Sequence, residues 1–254
     1  MSEISDNRKR LEEAAKGVVV DKQELIQKLY KKLEPSGWGN KLKGFMLSKE
    51  FEVIIDRLIK DKEEGKRFVP SVKYMFRAFE ECPASSSRVV FLGQDPYPYV
   101  GVPDGLAFSC SFSGRPQPSL KYMFDEIKST VYKNGYYEED VDLIRWANQG
   151  VLLLNTAFTV NEKQPGTHYL LWRPFLVYVI DSIIYDPKMA DTIFVFLGNK
   201  AKAYAELIPD NFLKIETTHP ASAAHNNLEK WDSGDIFNKV NKGLKKLGQT
   251  EIVW

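Results

Sequence analysis

Residues 88–98 read Arg-Val-Val-Phe-Leu-Gly-Gln-Asp-Pro-Tyr-Pro. Val89, Val90, Phe91 and Leu92 are apolar without a break, close on Gly93, and give way at once to a polar sequence. The run is too short for a helix. Its lack of alternation is the mark of a strand buried on both faces, as in a parallel sheet. Three more strands are expected, at 151–154, 193–197 and 212–217.

Helical patterns lie between and before these strands. Leu25, Ile26, Leu29, Tyr30 and Leu33 form one stripe, predicting a helix over 22–34. Phe51, Ile54, Ile55, Leu58 and Ile59 form a second over 48–60, with Ser48 placed to cap it. Pro70 and Ser71 open a short helix through Val72, Met75, Phe76 and Phe79. Leu120, Met123, Phe124, Ile127 and Val131 make a further stripe, and 172–185, 199–207 and 236–247 three more. Strands alternating with helices predict an α/β fold of βαβ units. The expectation is a small, mostly parallel four-stranded sheet flanked by helices, in three layers, α/β/α. No repeat, low-complexity tract or Gly/Pro-rich linker divides the chain, so a single domain is expected over 21–254, with residues 1–20 as a flexible tail.

Composition narrows the function. No apolar run approaches the roughly 20 residues that span a bilayer, and the start of the chain is polar rather than a secretory signal. An intracellular, membrane-free protein is expected. It would be cytoplasmic in a bacterium or a virus of bacteria, with a nuclear location the alternative elsewhere. Cys82 and Cys110 are too few for a disulfide framework. His168, His219 and His225 lack the spacing of a zinc site. A reaction without metal or cofactor is therefore expected. A net charge of +1 neither announces nor excludes a nucleic acid, since a neutral protein can carry a local basic face.

In an open parallel sheet, ligands bind beyond the carboxyl ends of the strands. Each expected strand ends in a polar motif: Gly93-Gln94-Asp95-Pro96-Tyr97, Asn155-Thr156, Gly198-Asn199, and Thr218-His219-Pro220-Ala221-Ser222. Each has a plain reading: a turn at Asp-Pro, a cap at Asn155, a structural His219, a packing glycine at Gly198. Their coincidence at successive strand ends argues instead for one pocket holding a carboxylate, an imidazole and an amide. Tyr97, Tyr99 and Phe108 add rings that can stack on a planar ligand.

Taken with Gly105-Leu106-Ala107-Phe108-Ser109 and Leu152-Leu153-Leu154-Asn155-Thr156, these motifs resemble, in order and spacing, the signature of family 1 uracil-DNA glycosylases, from about Trp38 to Trp254. The resemblance implies an enzyme that flips uracil from DNA and hydrolyses its N-glycosidic bond, leaving an abasic site. It implies that Asp95 orients the attacking water and that a neutral His219 stabilises the charge growing on uracil O2. Phe108 would stack on the base, Asn155 would read its edge, Tyr97 would bar a 5-methyl group, and Gln94 would line the pocket. Pro118, Ser119, Gly198, Asn199, Ser222 and Ala223 would meet the DNA. Uracil-containing DNA is the implied partner, together with a proteinaceous glycosylase inhibitor, and a monomer is expected.

The chain departs from the family pattern in two places. Pro98 replaces the usual His. After His219-Pro220 the family commonly continues Ser-Pro-Leu-Ser, whereas this chain has Ala221-Ser222-Ala223-Ala224. Ala223 stands where a leucine fills the space left by the flipped base, so weaker grip on duplex DNA is expected, with His225 or Asn226 as substitute wedges. Competing functions are a DNA-binding protein without activity, a glycosylase for another base, and a nucleotide-binding domain. Intact Asp95 and His219 disfavour the first, Tyr97 and Asn155 the second. The lack of GxGxxG or a P-loop disfavours the third.

Overall fold

The computed structural model describes residues 21–254; the expected tail at 1–20 lies outside the described residues. Four parallel strands form the central sheet: β2 (Val89–Gly93), β3 (Val151–Asn155), β5 (Ile193–Leu197) and β6 (Lys214–Thr217), in the order β3-β2-β5-β6. β2 and β5 are buried along their whole length, which is why their sequences do not alternate. Register pairs Gly93 with Asn155 and Leu197 with Thr217, so the polar motifs emerge at one edge of the sheet. The expected α/β architecture is present.

Helices pack around this sheet. α1 (Lys22–Leu33), α2 (Trp38–Met46) and α3 (Lys49–Glu63) lead in. Ser48 caps α3 by accepting from the Phe51 N–H. α4 (Arg77–Glu81), α5 (Pro118–Glu126) and α6 (Ile144–Ala147) precede β3, and α7 (Tyr169–Ile184) leads to β5. α8 (Asn199–Lys202) follows β5, α9 (Pro220–His225) follows β6, and α10 (Ile236–Lys246) packs back on β5 and β6. Phe91 of β2 meets Phe237 of α10 and Trp254, and Trp146 of α6 closes this cluster with centroids 5.0–6.2 Å apart. Phe76, Phe79, Phe158, Trp172 and Phe175 form a second cluster. Together they belong to one continuous core.

Three local expectations are corrected. The segment after Pro70 does not open a helix. It runs as turns closed by Tyr74 N–H to Ser71 C=O and Arg77 N–H to Tyr74 C=O, and helix begins only at Arg77. The Tyr74 carbonyl is pressed against Gly105, where a Cβ would lie 1.9 Å away, so this segment serves the neighbouring loop. The helix expected over 199–207 is α8 followed by a separate 3-10 turn, Ala205–Leu207. The last strand is shorter than expected, because Phe212 closes a turn on Pro209. α2 had no expectation, since its glycines lower helix propensity. Gly39 lies against Glu34 and Gly44 against the Tyr178 hydroxyl, so both glycines permit close packing. The antiparallel pair β1 (Phe68–Val69) and β4 (Val160–Asn161) is too short to show a period.

Candidate active site

Gly93 is the point of convergence. A Cβ added there would stand 2.6 Å from Asn155 Oδ1 and 3.1 Å from the Phe108 ring. Only a glycine lets the end of β2 approach an amide and an aromatic ring so closely. Phe108 in turn lies 5.5 Å from the His219 ring, centroid to centroid. Gly198, with φ +87°, packs on His219 in the same way, its virtual Cβ 2.7 Å from the histidine Cβ. Asn155, Phe108, His219, Gly93 and Gly198, from five segments of the chain, thus share one small space.

Phe108 sits there in a left-handed backbone conformation, φ +67°, which an L-residue adopts at a cost. Several contacts hold it. The Tyr97 hydroxyl donates to the Phe108 carbonyl at 3.0 Å, and the Ala107 N–H donates to Leu153 C=O on the flank of β3. Asp104 is fully buried and gathers the rest of the loop. Its carboxylate accepts from the Leu106 N–H, the Ser111 N–H and the Ser109 and Ser111 hydroxyls, and pairs with Arg77 at 3.1 Å. The sequence reading passed over Asp104. Its one signal was a carboxylate directly before Gly105 in a loop rich in serines.

Asp95 follows Gly93 by two residues. Oδ2 accepts from the Gly166 N–H at 2.7 Å and from Gln94 Nε2 at 3.2 Å. Oδ1 is buried with no hydrogen-bond partner among the described residues. Burial raises the carboxyl above its ordinary value, and the Gln94 and Gly166 hydrogen bonds oppose that rise. Gln94 is itself fixed, since its carbonyl accepts from the Thr156 hydroxyl and the Ala157 N–H. Gly166 is a second residue the sequence reading missed. Its loop runs into α7 at His168, whose ring bonds Asp61 at 2.9 Å and Thr159 at 2.8 Å inside the core. His168 is therefore a structural anchor.

His219 caps α9. Nδ1 accepts the Ala221 N–H at 3.1 Å, so the neutral ring carries its proton on Nε2 and presents a donor. Burial, with His225 nearby, pulls its pKa down to about 4, which leaves the ring neutral near pH 7.

The expected DNA contacts divide. Pro118, Asn199 and Ser222 are exposed. Ser119 is 6% exposed at the start of α5, and Gly198 is buried against His219. The Ser222 hydroxyl donates back to the His219 carbonyl. Ala223, expected to meet DNA, is 1% exposed, on the helix α9 that packs on α5. His225 and Asn226 are exposed. The loop beyond them exposes Leu228, whose carbonyl accepts from the Tyr122 hydroxyl at 2.6 Å, before Trp231 returns to Thr218. No group of three His, Cys, Asp or Glu among the described residues could hold a metal ion, and none of their helices is long and apolar enough to cross a membrane.

This arrangement can be set beside known proteins. Residues 79–245 match the Uracil DNA glycosylase superfamily. A uracil-DNA glycosylase of Borrelia turicatae is 37% identical over 230 residues, covering 87% of this chain and 97% of that protein. One of Campylobacter fetus is 37% identical over 226 residues, covering 88% and 93%. Among solved structures, mimivirus uracil-DNA glycosylase superposes with a TM-score of 0.76 at 25% identity, covering 89% of this chain and 88% of that one. A Y322F variant of the mimivirus protein, solved in complex with UGI, superposes with a TM-score of 0.75 at 25% identity, covering 85% and 87%. Motifs, sheet topology and relatives agree, and the chain belongs to the uracil-DNA glycosylase superfamily.

Proposed function

We propose that this chain hydrolyses the N-glycosidic bond of uracil flipped from DNA, with Asp95 and His219 as its catalytic residues. The convergence at Gly93 carries the reading: it makes a slot floored by an amide, walled by a ring and closed by a neutral imidazole. Uracil enters that slot edge-on to Asn155. A side-chain amide can donate to O4 and accept from N3–H together, a pairing that cytosine reverses. Phe108 stacks on the base. Tyr97, its hydroxyl spent on the Phe108 carbonyl, is a fixed wall at the 5-position. Gln94 lines the slot beside Asp95.

Cleavage builds positive charge on the sugar and negative charge on uracil. The Nε2–H of His219 donates to O2 as that charge grows, with no full proton transfer. Asp95 stabilises the oxocarbenium-like sugar, and its free Oδ1 accepts a hydrogen bond from the attacking water. Water adds to C1′, uracil leaves with the bonding electron pair, and an abasic site remains. Pro118, Ser119, Gly198, Asn199 and Ser222 border the path of the backbone. The enzyme acts as a monomer inside the cell. A proteinaceous inhibitor of the UGI kind would block this same face.

Uracil release from a labelled oligonucleotide, read as alkali-labile abasic sites, tests the reading. Asp95→Asn is expected to cut the rate by a factor of about 10² to 10³, the scale of losing one preorganised electrostatic group, with the melting temperature kept. No product from the wild type at high enzyme would refute the function. Full activity in Asp95→Asn would refute the role of Asp95.

A further inference from the structure

Beside Asp95 lies a second, open cavity of about 300 Å³, lined by Gln94, Asp95, Gly166, Tyr169, Leu170 and Lys200. Three of these have no part in the chemistry above: Tyr169, Leu170 and Lys200. Leu170 is 75% exposed at the first turn of α7. A lone surface leucine needs no explanation, but this one borders a catalytic carboxylate. Tyr169 is braced edge-on by the buried Tyr204, centroids 6.4 Å apart, and the Lys200 ammonium lies 4.7 Å from the centre of its ring. The cavity therefore has an apolar, partly aromatic wall and one cationic rim. Oδ2 of its carboxylate is already engaged by Gly166 and Gln94. Its volume sits at the lower end of small-ligand pockets, about 300 Å³, suited to one nucleotide unit.

We infer that this cavity is a subsite for the nucleotide adjoining the target uridine, with its base or sugar face against Tyr169 and Leu170 and its phosphate at Lys200. The inference rests on the function proposed above and deepens it. Stacking on exposed rings with a cation at the backbone is how proteins hold unpaired strands without reading their sequence. A bound neighbour would cover the mouth beside Asp95 and hold the strand next to the reacting sugar. The subsite supplies grip beside Asp95, at a point distant in sequence from the altered loop after His219.

The test measures kcat/KM on single-stranded substrates of increasing length: a uridine nucleotide alone, then with one neighbour on its 5′ side, its 3′ side, or both, then a long oligonucleotide. The wild type is expected to gain about tenfold from a neighbour on one side. Leu170→Ser and Lys200→Ala are each expected to lose most of that gain, chiefly through KM. Lys200→Ala should also flatten the dependence of log KM on log salt by about 0.7, the loss of one single-strand phosphate contact. Three results would overturn the subsite: no gain from either neighbour in the wild type, the same gain in both variants, or equal losses on the shortest and longest substrates. Wild-type enzyme that releases uracil from none of them would remove the proposed function itself, and the subsite with it.

Discussion

At the scale of single residues, environment decides which ionised form each proposed catalytic group carries. Both groups are partly buried, and burial acts on them in opposite senses: it raises the Asp95 carboxyl and lowers the His219 imidazole. The rate should fall on acidification through the raised Asp95 value, since only the carboxylate can orient water. His219, at about 4, should add no limb near neutrality. The acid limb is expected to survive in His219→Gln at a lower plateau rate; its disappearance there would assign it to the imidazole. The sign for stability follows from the same depression. The unfolded chain takes up the histidine proton first, near its ordinary 6.5, so the stability due to neutral His219 is full above that pH and is lost on falling toward 4. That Asp95, Asn155, Phe108, Tyr97 and His219 gather beyond the strand ends was legible in the sequence, because each stands in a short polar or aromatic motif at or soon after a strand end. Asp104 and Gly166 were not. They act on the site through hydrogen bonds across the fold, and neither residue type at that position announces its partner.

At the scale of elements, the strands were more legible than the helices. A buried parallel strand shows itself as an unbroken apolar run, as β2, β3 and β5 do, whereas β6, Lys-Ile-Glu-Thr, has alternating burial and is marked in the sequence by only two apolar residues before it. Short or glycine-bearing pieces were hidden, because α2 draws its stability from packing rather than propensity. α9 is the instructive case. Its sequence, Pro-Ala-Ser-Ala-Ala-His, is aligned naturally with a loop that enters DNA. The helix instead turns Ala223 into the interface with α5, and which face of six residues is buried is a tertiary fact. Restoring the leucine should therefore fail. Ala223→Leu is expected to overpack that interface and cost about 1–3 kcal/mol of stability, read as a lower melting temperature, without faster cleavage of duplex substrates. A duplex-specific gain at unchanged stability would show that this position does face DNA.

At the scale of the whole molecule, the surface around the site is sparing in what it offers a duplex. α9 presents Ser222 and His225, and the loop beyond it exposes one large apolar side chain, Leu228. Extruding a base from a stable helix costs a few kcal/mol, normally offset in part by an inserted wedge, whereas a single strand spares most of that cost. The protein is expected to release uracil faster from single strands than from matched duplex, by about tenfold or more. Equal or faster cleavage of the duplex would overturn that expectation and make Leu228 the first residue to replace.

The clamps that hold the site share a property that matters for genetics. Gly166 grips Asp95, Ala221 sets the His219 tautomer, and Phe108 receives the Tyr97 hydroxyl, each through its main chain. A codon change swaps a side chain but leaves a peptide group behind. Only proline deletes an N–H, and no substitution deletes a carbonyl. In a saturation scan, the Ala221 donor would register as intolerance to proline, the Gly166 donor would be masked by the strain any side chain meets at its φ of +84°, and the Phe108 acceptor would be silent at its own position, visible only through loss of Tyr97. A map of mutational sensitivity would therefore understate how much of this active site is made of backbone.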